Sequence, residues 1–339
     1  MPKRWQQRPP GSNWGEFGDD DQHGRLNLLT AERRVRALKE VKTGEVFCLS
    51  HPLNLPGGSV LNAFRKPPVF HPVMRGGHPY FNLAMKEIDP RFTDVGSDDA
   101  ITLYSQYSTH WDAFAHKGML FDADGDGVAE KVSYNGFHIV DSAGRGLYGE
   151  TGAVALSAAA MAETAIQGRA VMVDLRHHFG DERVGITWAQ FERVMQDDNV
   201  TVETGDILCI HTGLGQLIRD AAGSPDASIK TQCTVLDGYD QRLLEWISIS
   251  GVAAIVADNL AVERSSTLGV DPRLHECGPQ LPLHEHCLVK LGIHLGELWY
   301  VTELANWLRK NKRSRFLLTA PPLRMPGAAG SPVTPVATV

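Results

Sequence analysis

The chain has 339 residues, 42% hydrophobic and 22% charged, with 33 glycines and 19 prolines spread without a period. That balance excludes collagen, coiled coil and wholesale disorder, and is that of an ordinary globular protein. The formal charge of -7 gives no electrostatic reason to bind nucleic acid or an anionic membrane. Cys48, Cys209, Cys233, Cys277 and Cys287 are widely spaced with no CxxC pair, which argues against a disulfide framework or a thiolate zinc site. A reducing compartment is the default for such cysteines, and the polar, Pro-rich N-terminus has no apolar leader, so a cytoplasmic location is expected. The most apolar window, Gly251 to Ala257, is far short of the roughly 20 residues of a membrane helix.

In chain order, residues 1–29 read as an irregular arm pinned to a surface by Trp5 and Trp14. A helix follows from Thr30, its N-cap, to Lys42, and Glu45 to Leu49 reads as a strand. Residues 54–98, rich in Gly, Pro and Asp, read as a long functional loop. Ala170 to Leu175, Asp206 to Ile210 and Val252 to Val256 are short β-rich runs of the buried-strand type. Helical spacing marks Thr187 to Gln196, Leu243 to Ile247, His284 to Leu291 and Thr302 to Arg309, and Phe316 to Thr319 reads as a last strand. Strands alternating with helices imply one mixed α/β domain over 30–323, with an extended tail from 324 to 339.

The chemistry concentrates in Tyr104 to Gly118, which holds Gln106, His110, Asp112 and His116. His110 and Asp112 are an i, i+2 pair, and on a strand both side chains fall on one face. Imidazole nitrogen with carboxylate oxygen suits a borderline cation such as zinc or manganese. The bland alternative is a polar loop whose residues only hydrogen-bond one another. Against it stand the aromatic and small residues between the polar ones, Trp111, Ala113, Phe114 and Ala115, which suggest burial; a buried Asp with two His needs a compensating charge. A second cluster, Pro282 to His286 followed by Gly292 to Glu297, offers His284 or His286 and Glu297, and spacing does not decide which histidine turns inward.

Gln106 to His116 resembles the signature HxGTHxDxPxH of the cyclase-like metal-dependent hydrolases, a family that includes bacterial kynurenine formamidase, isatin hydrolase and trans-dienelactone hydrolase. It aligns without a gap and matches four of the seven fixed positions. Asn13 to Asn27, Tyr134 to Gly136, Gly205 to Gly213, Ala257 to Glu263 and His284 to Glu297 recur in family-like order. The resemblance implies a single mixed-sheet α/β domain of the swivelling β/β/α type, and hydrolysis by metal-activated water. It makes His110 and Asp112 metal ligands, with Gln106 at a third ligand position, and His116 the general acid/base. His284, preferred over His286, and Glu297 would close the site, binding a second cation or positioning the nucleophile. Relatives form symmetric assemblies, so a homodimer or homotetramer is expected.

Two departures from the signature matter. Gln106 replaces its first histidine, and a neutral amide oxygen is a weaker ligand, which favours one zinc or manganese per chain over two. Ser108 and Phe114 replace its Gly and Pro, so substrate identity does not carry over. The expected activity is cleavage of an amide, formamide, cyclic imide or lactone of a small, partly aromatic molecule, with Tyr107, Trp111 and Phe114 as candidate substrate contacts. A lactone hydrolase is the alternative within enzymes; a non-catalytic small-molecule binder with a degraded metal site is the alternative outside them.

Other signals are weaker. Asp122 to Gly127 imitates the start of a calcium loop, but its twelfth position is Ser133, so an Asp/Gly turn is expected. His177 and His178 follow a strand end and would cap it or line a pocket. Thr212 to Gly215 lacks the third glycine and the acidic residue of a dinucleotide fingerprint.

Overall fold

The computed structural model describes residues 3–264 and 278–339, so Cys277 lies outside the described residues. A nine-stranded mixed sheet organises the fold. Its strands, in chain order, are β1 (Val46–Cys48), β2 (His110–Asp112), β3 (Gln167–Asp174), β4 (Ile207–His211), β5 (Ala254–Ala257), β6 (His294–Glu297), β7 (Arg315–Thr319), β8 (Gly330–Pro332) and β9 (Val336–Thr338). Across the sheet they run β1-β9-β7-β3-β4-β5-β6-β2-β8. β3 to β6 are mutually parallel, and the pairings outside that block are antiparallel.

Eight helices accompany the sheet among the described residues: α1 (Ala31–Ala37), α2 (Ala158–Ala162), α3 (Leu175–Phe179), α4 (Trp188–Asp197), α5 (Leu214–Asp220), α6 (Gln241–Ser250), α7 (Pro282–His284) and α8 (Thr302–Lys310). The parallel strands are apolar on both faces because both faces are covered. Val171, Val173, Leu208, Ile210 and Ile255 pack with Phe191 and Val194 of α4 and with Leu243 and Ile247 of α6. Their neighbours Ala170, Met172, Ile207, Cys209 and Val256 face the other way, against Leu304 and Leu308 of α8. The result is the mixed α/β architecture expected from the alternation of strands and helices.

Several elements depart from the pattern reading. Thr30 caps α1 by accepting the Arg33 amide at 3.3 Å, but the helix stops at Ala37 and tightens into a 3₁₀ turn over Leu38–Glu40, short of Lys42. The stretch after residue 323 is extended and also supplies β8 and β9, which pair with β2 and with β1 and β7. Within 54–98 and just beyond it, Val69–Pro72 pairs with Asp99–Thr102, Met74–Arg75 with His78–Pro79, and Leu83–Ala84 with Val95–Gly96. These strands are two to four residues long, too short to leave a period in the sequence.

The N-terminal arm is held as the two tryptophans suggest. Trp14 is fully buried, and its Nε1 donates to the Val289 carbonyl at 2.7 Å. The helix expected from His284 begins at Pro282, in the N1 place where a missing N–H costs nothing, and continues as a π-helical stretch over Glu285–Leu291. Gly292 ends it with φ 60°.

Candidate metal centre

β2 and β6 build the centre. Their antiparallel register sets His110 opposite Glu297 and Asp112 opposite Leu295. Residues two apart on a strand share a face, so His110 and Asp112 turn to one side and Trp111 to the other. Glu297 ends the last parallel strand, at the carboxyl edge where sites on open α/β sheets form. α7 brings His284 in from above that edge.

His110 Nε2 lies 3.6 Å from Asp112 Oδ1 and 3.7 Å from Glu297 Oε2. His284 Nε2 lies 3.2 Å from Glu297 Oε1 and 3.9 Å from Asp112 Oδ2. His116 Nε2 is 3.9 Å from Asp112 Oδ1. Two triads sharing Asp112 result: His110, Asp112 and Glu297, and Asp112, His116 and His284, each with its ligand atoms within 4.8 Å of one another. All but His116 are buried, and its side chain keeps 24% exposure, which gives the cluster a face open to a ligand.

The donor set fits a divalent cation. His110 Nε2 and Asp112 Oδ2 are buried and have no hydrogen-bond partner, which is rare for such atoms. Both point into the cluster, where a cation would satisfy them. The ring of His110 is turned that way by its Nδ1, which lies 2.7 Å from the Ser108 carbonyl. The ring of His284 is turned by Glu263, whose Oε1 lies 2.9 Å from His284 Nδ1. Partners of this kind fix the tautomer of a ligating imidazole.

Glu263 was not singled out as a site residue from the sequence. It is fully buried and also accepts the amides of Leu283 and His284, at 2.9 and 2.8 Å. A glutamate inside the otherwise apolar run Leu260 to Glu263 is the signal that marks it.

The charges interlock. Burial opposes a charged His284, but its hydrogen bonds to Glu263 and Glu297 outweigh that and push it up to about 10. A cation would compete with this proton for the same lone pair. Burial, with Glu297 beside it, raises Asp112. Glu297 is buried too, yet the His284 hydrogen bond and the nearby histidines hold it low. Burial lowers His110 despite both carboxylates. Burial, and then the charge of His284, lower His116 to about 3, so it is neutral.

The remaining expected residues fall elsewhere. Gln106 spans the cluster: its amide nitrogen donates to Asp112 and lies 3.0 Å from His116 Nδ1. It acts as a ligand only with its oxygen turned inward. His286 turns away, its Nε2 2.9 Å from Ser248 Oγ and from the Leu244 carbonyl. Of the three aromatic residues expected to contact substrate, Trp111 and Phe114 are packing groups, and Tyr107 lines a small cleft with Gln106 and Arg65. Trp111 is fully buried against Trp299 with its Nε1 on the Ala320 carbonyl, because strand alternation carries it to the opposite face. Phe114 is fully buried and stacks on His294 at 3.8 Å. Tyr107 is buried, with its hydroxyl held between the Gly57 amide and the Gly58 carbonyl.

Asp122, Asp124 and Asp126 accept amides of their own turn. His178 Nε2 meets Asp198 at 3.0 Å and His177 Nδ1 meets Arg309 at 2.8 Å, both away from the cluster. The amides of Thr212, Gly213 and Gly215 surround the buried Asp258 carboxylate, which fills the place a phosphate would need.

A family model for the Cyclase family matches residues 47–264, a span that includes His110, Asp112, His116 and Glu263. The solved structure of a novel cyclase is 32% identical, with a TM-score of 0.75 over 97% of this chain and 99% of that one. Isatin hydrolase A from Ralstonia solanacearum is 14% identical with a TM-score of 0.52, covering 86% of this chain and 91% of its own. Isatin hydrolase A from Labrenzia aggregata, solved with benzyl benzoate, is 13% identical with a TM-score of 0.53, covering 87% and 93%. Among curated proteins no match is found. With a family match over well more than half its length, and a cyclase of 32% identity along nearly all of it, this chain belongs to the Cyclase family.

Proposed function

We propose that this chain is a metal-dependent hydrolase that cleaves a carbonyl C–N or C–O bond of a small molecule: an amide, formamide, cyclic imide or lactone. The observation that carries the reading is the pair of orphaned ligand atoms, His110 Nε2 and Asp112 Oδ2, buried beside Glu297 and His284. Imidazole nitrogens and carboxylate oxygens suit zinc or manganese; His110, Asp112, Glu297 and, with its proton displaced, His284 would hold it. The bound cation supplies a lowered pKa for water and polarisation of the carbonyl under attack.

The chain's own groups do the rest. His110 and His284 are aimed by Ser108 and Glu263, so the donor geometry is set before a ligand arrives. With the Gln106 amide turned so that its oxygen accepts from His116 Nδ1–H, the neutral His116, facing the open side, accepts a proton from the attacking water at Nε2 and returns it to the leaving nitrogen or oxygen. Gln106 keeps His116 in position through its Nδ1. The fold-level likeness to proteins named isatin hydrolases supports a cyclic amide among the substrates to test. One cation per chain is the proposed stoichiometry: with Asp112 and His284 engaged by the first, a second would keep only His116 and the neutral amide of Gln106 as ligands of its own.

The test is metal content on protein purified without chelator. About one zinc or manganese per chain, lost together with turnover on chelation and regained on reconstitution, is the expected result. No metal, even after incubation with both ions, would overturn the reading in favour of a non-catalytic binder.

A further inference from the structure

The segment from Asn54 to Lys66 reaches the neighbourhood of the cluster through Arg65 and Gln106. Arg65 Nη1 donates to the Gln106 carbonyl at 2.8 Å, and Gln106 in turn touches Asp112 and His116. The positive charge of Arg65 registers on His110, Asp112, His116 and Glu297 alike. Arg65 and Gln106 share the wall of a small cleft with Asn62, Tyr107, Leu260 and Leu298. Leu298 directly follows Glu297, so the apolar wall starts at the cluster itself. The Nε and Nη2 donors of the half-buried Arg65 make no hydrogen bond within the chain among the described residues.

This arrangement has a chemical consequence. A molecule with its carbonyl at the cluster would bring a neighbouring substituent towards this guanidinium. Arg65 is the guanidinium placed beside the cluster, where it would attract the anionic part of a bound molecule. A guanidinium with two free donors receives a carboxylate in bidentate fashion, whereas a neutral molecule would leave those donors unpaired.

The geometry points to Arg65 as an anion subsite that selects substrates bearing a carboxylate beside the bond to be cleaved. The assignment rests on the hydrolase reading for its substrate class, and a binding measurement separates the two. The probes are 2-formamidobenzoate and formanilide, which differ by one carboxylate. With zinc- or manganese-loaded enzyme, kcat/KM and calorimetric Kd are measured for both, on wild type, Arg65→Gln and Arg65→Lys.

Wild type is expected to prefer the carboxylated probe. Arg65→Gln should cut that preference by about 10- to 100-fold, chiefly through KM and Kd, as expected for losing a charge-assisted hydrogen bond. Arg65→Lys, which keeps the charge and loses the fork, should restore part of it. Equal preference in wild type and Arg65→Gln, or no binding preference in wild type, would overturn the subsite. If neither probe is hydrolysed but carboxylate binding still depends on Arg65, formamide hydrolysis fails while the subsite stands.

Discussion

Glu263 accepts three hydrogen bonds at the start of α7, one of them from the ring of His284. Replacing it by Gln keeps the size and removes the charge that orients the imidazole. Partners of this kind are worth about 10- to 100-fold in metal affinity, so Glu263→Gln should weaken zinc binding by that much in a competition titration; unchanged affinity would reduce Glu263 to a helix anchor. His116→Ala makes the opposite split. It should keep the metal bound by His110, Asp112, Glu297 and His284, and lose roughly 10²–10⁴-fold in turnover. A variant with near wild-type turnover would remove His116 from the chemistry.

His51 gives the residue scale a pH dependence of its own. It is buried, neither ring nitrogen has a partner, and its ring packs 5.6 Å from that of Tyr300. Burial, and then the charge of Arg219, lower it to about 3. The unfolded chain takes up this proton near the ordinary histidine value of about 6.5. Between about pH 6.5 and about pH 3 the unfolded state therefore binds the extra proton, and stability falls as pH falls. At about pH 5 the loss from this one group is on the order of 2 kcal/mol. His51→Phe should thus lose less Tm than wild type on going from about pH 7 to about pH 5, and parallel losses would show that His51 titrates normally.

At the scale of elements, the π-helical stretch and the N-terminal arm depend on each other. Gly292 takes φ 60° to end the helix, and a Cβ there would meet the Tyr134 ring at 2.6 Å and Gly24 Cα at 2.8 Å. Gly24 makes the reciprocal approach, and Arg25 N–H donates to the Gly292 carbonyl at 2.6 Å. Gly292→Ala combines left-handed strain with a clash against backbone and a buried ring, and should destabilise by about 1–3 kcal/mol. Denaturant midpoints measure this, and a change below about 0.5 kcal/mol would mean that the arm gives way freely. The same helix carries His284 at its entrance, so seating of the arm and aim of a ligand belong to one packed unit.

At the scale of the molecule, the segment from Phe64 to Tyr104 presents an unusual surface. Phe64, Phe70 and Phe81 are 86%, 65% and 64% exposed, with Val69, Met74, Val95 and Ile101 also outward. Exposed apolar side chains concentrated in one segment are a mark of interaction sites, and the expectation from the family is a homodimer or homotetramer. Light scattering should return a mass of two or four chains of 37.2 kDa. A single-chain mass at micromolar concentration would overturn it. No described helix is long and apolar enough to cross a membrane.

Legibility followed the range of the interactions involved. Buried strands such as β3 to β5 show in the sequence because their apolar runs depend only on local pattern and on burial of both faces. His110 and Asp112 show because an i, i+2 pair shares a strand face whatever the tertiary setting. The short pairings of 69–102 left no period, and the outer strands β8 and β9 contain Gly and Pro that pair only because β2 and β7 are already in place. The choice of His284 over His286, the part of Glu263 and the burial of Tyr107, Trp111 and Phe114 are set by contacts between distant segments.

The sequence by itself determined the fold class, the family and the chemical kind of the site, because these rest on residue types and short spacings. Only the tertiary structure decided which side chains meet. Packing of α7, the 54–66 segment and the N-terminal arm onto the sheet edge selects, among many His, Glu and aromatic residues, the few that share a common point.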